Sequence, residues 1–320
     1  MKVSQLIFTS LLCLFGIGFV YSQDDSKKDK SKDNKSVPKP IEVKANLMIL
    51  EADGKFADIK LEDLKIFEDG AEQKITYLAK KENALNVGFV IDNTGSMRLL
   101  LEEITKAASI LVANLEATDE AFVVRFVDSD NISVIQKWTS NKAELKSALE
   151  NMYVEGGQSA ITDALHLSAE EILEREKQDK SKRYALILIS DGEERDSYFK
   201  FEEMLALLKG TDIQIFMLSY ANFAPKKPNE SVKFSNRVAF ETGSIVRILT
   251  KKKTKEEIID ALKAIVGELR SNYIVGYSST NQKRDGLPRK LTVQIADGAK
   301  GEKRQAFIRE SFIVPEEKNK

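Results

Sequence analysis

Three segments of this chain place oxygen-bearing side chains where apolar runs stop or helices start. FVIDNTGSM closes an apolar run on Asp92 and follows it with Thr94 and Ser96, YVEGGQSAITDAL offers Ser159 at the start of a helix, and LILISDGEE ends a buried run on Asp191. These two carboxylates and three hydroxyls are all hard oxygen donors, a set that suits Mg²⁺ or Mn²⁺; Mg²⁺ takes octahedral geometry at about 2.0–2.1 Å and keeps several waters. Zinc fits poorly, because no thiol is in reach and His166 is the only histidine. A cation held partly by neutral hydroxyls, with the aspartates acting partly through water, stays under-neutralised and would attract a carboxylate from outside.

The same residues admit other chemistry. Asp92 at a strand end could take a phosphoryl group beside Mg²⁺, as a hydrolase or phosphatase would use it. Thr94 then stands where a second aspartate is wanted, and no general acid or base is evident nearby. A third reading is a structural envelope protein whose metal only stabilises the loops. Asp92, Thr94 and Ser96 could also simply cap the helix that follows them. Thr162 and Asp163 read as structural, and His166, off the Ile161, Leu165 and Ile172 face, reads as a boundary residue and not a ligand.

The elements needed to position these side chains are visible as changes of period. LNVGFVI is a continuous buried-strand run, and Leu100, Ile104, Ala108, Leu111 and Leu115 then mark one face of a helix. AFVVRFVDSDNISVIQKW reads as two strands joined at Asp128 to Asn131, too short a link for a parallel crossover and therefore antiparallel. Helices at about 141–151, 160–177, 199–209 and 234–241 alternate with the strands YALILIS, IQIFMLSY and SIVRILT, and a last helix opens with Thr254 and Glu257 in capping-box spacing. The expected fold is α/β, a doubly wound, mostly parallel sheet with an antiparallel strand at its edge. In such a sheet Asp92, Ser159 and Asp191 meet at the carboxyl edge, where ligands collect.

Either side of this pattern lies strand-like sequence. Val43, Ala45, Leu47 and Ile49 alternate with polar neighbours, and Asp69-Gly70 reads as a hairpin turn; beyond the last helix, NYIVGYSS, RKLTVQIA and RQAFIRESFIV read as strands, with turn signals at Asp285-Gly286 and Asp297-Gly298. Each flank is too small to stand alone, so the two should pair into one discontinuous β-domain with the α/β domain inserted.

The termini and the charge bound the setting. Lys2, the apolar stretch Leu6 to Val20 and small Ser22 form a secretory signal peptide by pattern, cut before Gln23. Cys13 is the only cysteine, so a mature chain without disulfides points to the bacterial periplasm, cell surface or exterior. No stable transmembrane segment is expected after cleavage. QDDSKKDKSKDNKSVPKP cannot bury enough apolar surface to fold and reads as a disordered tether. A formal net charge of -1 favours neither nucleic acid nor an anionic membrane.

Residues 85 to about 270 resemble a von Willebrand factor type A domain, since DNTGS, Ser159 and Asp191 match its metal-ion-dependent adhesion site in order. The resemblance implies that Asp92, Thr94, Ser96, Ser159 and Asp191 hold a divalent cation, that an Asp or Glu of a protein partner completes its shell, and that the protein is a binding module and not an enzyme. Thr94 stands where serine is commoner and Ser159 where threonine is commoner; both keep the oxygen. The flanks KIFEDGAEQKITYLAK and NYIVGYSSTNQKRDGLPRKLTVQI are similar to a bacterial VWFA-related group first described from Acidobacteria. The expected organisation is a signal peptide over 1–22, a linker over 23–40, a β-unit over 41–84, the type A domain over 85–270, a second β-unit over 271–314 and a tail over 315–320.

Overall fold

The computed structural model describes residues 39–80, 84–178, 182–220, 230–248, 255–298 and 300–316. The signal peptide, all but the end of the linker, Thr254 of the capping box and the last four residues of the tail lie outside them.

The amino-terminal flank forms β1 (Glu42–Glu51), β2 (Leu64–Glu68), β3 (Ala71–Gln73) and β4 (Ile75–Lys80). Asp69 and Gly70 both take positive φ, 48° and 83°, as a two-residue type I′ hairpin between β2 and β3 requires. The expected strand after that turn is in fact two, because β3 stays with β2 while β4 leaves for another sheet.

The central segment alternates as its periods dictate: β5 (Leu85–Asp92), α1 (Leu101–Ala113), β6 (Glu120–Phe126), β7 (Ile132–Thr139), α2 (Lys142–Glu150), α3 (Ile161–Gln178), β8 (Arg183–Ser190), α4 (Phe201–Lys209), β9 (Gln214–Ser219), α5 (Glu230–Glu241), β10 (Val246–Ile248) and α6 (Lys255–Ser271). The sheet order is β10-β9-β8-β5-β6-β7, parallel except for β7, which returns antiparallel at the edge. Helices cover both faces, so every residue of β5 and β8 is buried and the strands read as unbroken apolar runs. Leu85, Val87, Phe89 and Ile91 pack on one face with α1, α2 and α6, whereas Val90 joins α3, α4 and α5 on the other. After α1 the chain lays β6 on one side of β5 and later β8 on the other, so the connections diverge at the end of β5. That end is Asp92.

The carboxyl-terminal flank supplies β11 (Tyr273–Ser278), β12 (Pro288–Ile295), β13 (Arg304–Ile308) and β14 (Ser311–Ile313). Strands of both flanks interleave in two four-stranded sheets, β13-β1-β11-β4 and β14-β12-β2-β3, which share one apolar core through Val43, Leu47, Ile66, Val275 and Leu291. RQAFIRESFIV, like the hairpin's second arm, breaks in two at Arg309-Glu310 and feeds both sheets. The turn near Asp297 puts its positive φ at Gly301, not at Gly298.

The sandwich is fastened to the α/β layer at several points. Arg309 Nη2 donates to the Leu208 and Lys209 carbonyls at 3.3 and 2.8 Å, and Asn46 Nδ2 donates to the Asp212 carbonyl at 3.0 Å. The second half of β1 is buried on both faces, Asn46 and Met48 included. Among the described residues, no helix is long and apolar enough to cross a membrane.

Candidate functional site

Asp92 ends β5 with no exposed surface. Its Oδ1 accepts from the Thr94 backbone N–H at 2.9 Å and from Thr94 Oγ1 at 2.7 Å. Its Oδ2 accepts from Ser190 Oγ at 2.7 Å and Ser159 Oγ at 3.2 Å, so the ends of β5 and β8 and the loop before α3 converge on one carboxylate. Burial pushes the Asp92 carboxyl above its usual range, against the hydrogen bonds from Ser190 and Thr94, and repulsion from Asp191 adds to the rise.

The proton count at this cluster decides what it can hold. A hydroxyl has one proton to donate and two lone pairs. Thr94 gives its proton to Asp92, so in its 2.9 Å contact with Ser96 the proton must come from Ser96. Thr94, Ser96 and Ser159 thus all point their protons inward, and only lone pairs remain to face outward. Those three residues line a cleft of about 150 Å³ together with Asp191, Gly156, Gly157, Glu193 and Arg195, and Asp92 lies beneath it. An acceptor-only oxygen set with two carboxylates suits a hard divalent cation, and the cleft has room for the few waters such an ion keeps. The residues therefore fit Mg²⁺ or Mn²⁺. Among the described residues, no cluster of three or more His, Cys, Asp and Glu offers a competing metal site.

Close packing holds the loops in place. Asn93 ties the first loop to the second, its Nδ2 donating to the Tyr153 carbonyl at 2.8 Å and its own carbonyl accepting from Glu155 N–H at 2.9 Å. Gly157 has no room for a side chain, since a Cβ there would lie 2.4 Å from Val127 Cγ1. In the third loop Gly192 takes φ +78°, and a Cβ would meet Ser235 Oγ at 2.8 Å. The backbone N–H groups of Arg195 and Asp196 donate to the Ser159 carbonyl at 2.9 and 3.2 Å.

Thr162 and Asp163 take structural parts in this lacing. Glu194 accepts from Thr162 N–H and Oγ1 at 2.7 and 2.9 Å, and Asp163 accepts from the N–H groups of Tyr198 and Phe199 at 2.7 and 2.8 Å. His166 stacks flat on Phe199 at 3.8 Å and is not among the residues lining the cleft.

The structure thus brings Asp92, Thr94, Ser96 and Ser159 into one hydrogen-bonded cluster and sets Asp191, half-buried, on the wall of the same cleft. Sequence reasoning missed Ser190, which is wholly buried and bridges Asp92 to the Gly192 N–H, accepting the latter at 3.0 Å. Its signal was a hydroxyl ending the otherwise apolar run YALILIS. Glu193 and Arg195 on the cleft wall were missed as well, because nothing local distinguishes them from solvated charges.

Residues 86–244 match the family model described as the von Willebrand factor type A domain. A comparison with curated proteins returns no match. Among solved structures, the chain is similar to an aerotolerance-related membrane protein from Bacteroides fragilis with multiple mutations to serine, at 19% identity over 58% of this chain and 98% of that one, TM-score 0.46. It is also similar to the conserved hypothetical protein BatB from Bacteroides thetaiotaomicron, at 16% identity over 59% and 100%, TM-score 0.46. A von Willebrand factor type A protein from Catenulispora acidiphila aligns at 10% identity over 89% of this chain and 76% of that one, TM-score 0.48.

Proposed function

Residues 86–244 are a von Willebrand factor type A domain, a family that commonly mediates protein interactions, and we propose that this one binds its partner through a divalent cation. Asp92, Thr94, Ser96, Ser159 and Asp191 would hold Mg²⁺ or Mn²⁺. When bound, the ion supplies an under-neutralised positive charge at the floor of the cleft, to which an Asp or Glu carboxylate of a partner protein is attracted. The observation that carries this reading is the convergence of Thr94 Oγ1 and Ser159 Oγ on Asp92 and of Ser96 Oγ on Thr94 Oγ1, from which the hydroxyl protons turn inward and leave lone pairs for the cleft.

The surroundings support a protein partner. Each of the three loops exposes one large apolar side chain: Leu99, Tyr153 and Tyr198, at 88%, 57% and 84%. None of the three lines the cleft itself; exposed aromatic and aliphatic groups on the loops that carry a polar centre are typical anchors of an interface. Hydrolytic chemistry has less support, since Asp92 is covered by its hydrogen-bond donors and no histidine lines the cleft. On the reading of residues 1–22 as a signal peptide, the partner is met in the periplasm, at the surface or outside the cell; N-terminal sequencing of the exported chain, expected to begin at Gln23, tests that placement.

Titration calorimetry with Mg²⁺ and Mn²⁺ tests the site. One binding event is expected in the wild type and none in Asp92→Ala or Asp191→Ala, with far-UV circular dichroism unchanged. Equal metal affinity in both variants would remove the assignment. Pull-down from envelope and extracellular fractions, with and without EDTA, tests the partner: recovery that ignores EDTA would leave the ion a structural role only.

A further inference from the structure

The wall of the cleft carries an ion pair that the five oxygen donors do not need. Arg195 and Glu193 both line the cleft, and their side chains pair with each other there. The backbone on either side of the pair is pinned to the site, Glu193 N–H donating to Asp191 Oδ1 at 3.0 Å and Arg195 N–H to the Ser159 carbonyl at 2.9 Å. The guanidinium is 56% exposed and the carboxylate 33%, so both reach the cleft from solvent.

The charges balance in a telling way. By formal charge the two aspartates would balance a divalent cation and Glu193 balances Arg195, so the loaded cleft sums to zero even though Asp92, engaged by its own four hydrogen-bond donors, leaves the ion locally under-neutralised. An incoming carboxylate makes it negative unless some internal carboxylate gives way. Glu193 is the one that can. It is half-exposed, and an exposed pair of this kind is held by only about 0–1 kcal/mol.

We infer that Arg195 is the second anchor for the partner's carboxylate, and that Glu193 occupies this anchor until the partner arrives. The inference rests on the cation-dependent reading above and deepens it. A carboxylate has two oxygens, and a guanidinium presents paired N–H donors that match them. One oxygen would face the cation site and the other the Arg195 fork, while Glu193 turns out to water. The site would thereby select carboxylates over neutral oxygen ligands, and binding would be tempered by the internal competitor.

Acetate is a sufficient probe. Its affinity for the Mn²⁺-loaded full chain can be read from the paramagnetic broadening of its methyl protons, and Mn²⁺ affinity separately from electron paramagnetic resonance. Arg195→Gln is expected to weaken acetate roughly two- to five-fold, and Glu193→Gln to tighten it by a similar factor, the range of an exposed ion pair. Mn²⁺ affinity should not fall in Arg195→Gln, because a positive charge near the ion has been removed. Arg195→Lys keeps the charge without the fork and should recover only part of the acetate binding. A collapsed loop would weaken both ligands in both variants and would overturn the inference, as would acetate affinity unchanged in both. In that last case wild-type Mn²⁺ binding leaves the functional reading standing, whereas a wild type that binds no Mn²⁺ removes both.

Discussion

Glu68 and Asp92 are both deeply buried carboxylates, and they are satisfied in opposite ways. Glu68, in the β-sandwich, is 2% exposed and meets Arg289, also 2% exposed, at 3.1 Å; Tyr277 Oη and Ser279 Oγ donate to it at 3.0 and 2.8 Å. Arg289 in turn donates to the carbonyls of Asn281, at 2.6 Å, and Lys283. The charge is paired within the protein, with Arg289 Nε left without an acceptor among the described residues, and burial beside Glu68 pushes the Tyr277 phenol far above its ordinary range. Asp92, with no exposed surface, receives four donors and every one is neutral. A buried charge without a counter-charge is costly. The first arrangement pairs its charge internally, whereas the second, on the cation-dependent reading proposed above, would be balanced by a bound ion. On that reading the difference separates a device for holding two sheets together from a device for binding.

The sharpest way to break this comparison is to remove the internal cation. Arg289→Ala should cost about 3–5 kcal/mol in urea unfolding, because Glu68 remains buried and unpaired. Asp92→Ala in metal-free buffer should cost less, no more than about 1–3 kcal/mol, since the donors it leaves behind are neutral and two of them, the Thr94 and Ser159 hydroxyls, border an open cleft. Equal losses would mean that Asp92 is as much a structural ion as Glu68.

The second test adds the proposed cation. At Mg²⁺ or Mn²⁺ one hundred times its dissociation constant, the wild type should gain about 2.7 kcal/mol of stability, seen as a rise in urea midpoint. Asp92→Ala should gain nothing, and folded variants of the sandwich should gain as much as wild type. A rise that survives in Asp92→Ala would place the ion elsewhere.

Smaller effects sharpen the picture around Asp92. Ser190→Ala removes one of the donors that aim the carboxylate and should weaken Mn²⁺ roughly ten- to hundred-fold with the fold intact, as loss of an orienting partner does. Ser190→Thr should restore most of it, and a full-strength site in Ser190→Ala would reduce this hydroxyl to packing. Thr94→Ser keeps the oxygen and should change metal affinity least, by less than about ten-fold on the same scale. A larger loss in calorimetry would show that the threonine methyl, and not only its oxygen, sets the cleft.

The helices and strands of the α/β layer were legible because their periods were undisturbed. LNVGFVI and YALILIS are covered on both faces, and α1 presents Ile104, Ala108 and Leu111 as one buried stripe. Five oxygen donors stood at strand ends and a helix start, where an open parallel sheet gathers ligands. Reading failed where partner choice is non-local. AEQKITYLAK and RQAFIRESFIV each looked like ordinary strand sequence, yet β3 and β4 part company, as do β13 and β14, each at the edge of a different sheet.

Type and order of elements follow from neighbours within a turn or a pleat, so the residue string alone settled them, together with which loops carry oxygens. Meetings across long stretches of chain were settled by folding. Arg289 finds Glu68 across 221 residues, Ser190 finds Asp92 across 98, and Ser159 finds it across 67. No local pattern encodes such a meeting, because it depends on how the sheet twists, how closely Gly157 and Gly192 let the loops approach, and where each hydroxyl can send its single proton. The oxygens of this site were written in the chain; their inward-facing protons, and the Glu193 and Arg195 pair over the cleft, exist only because three distant loops were folded onto one edge.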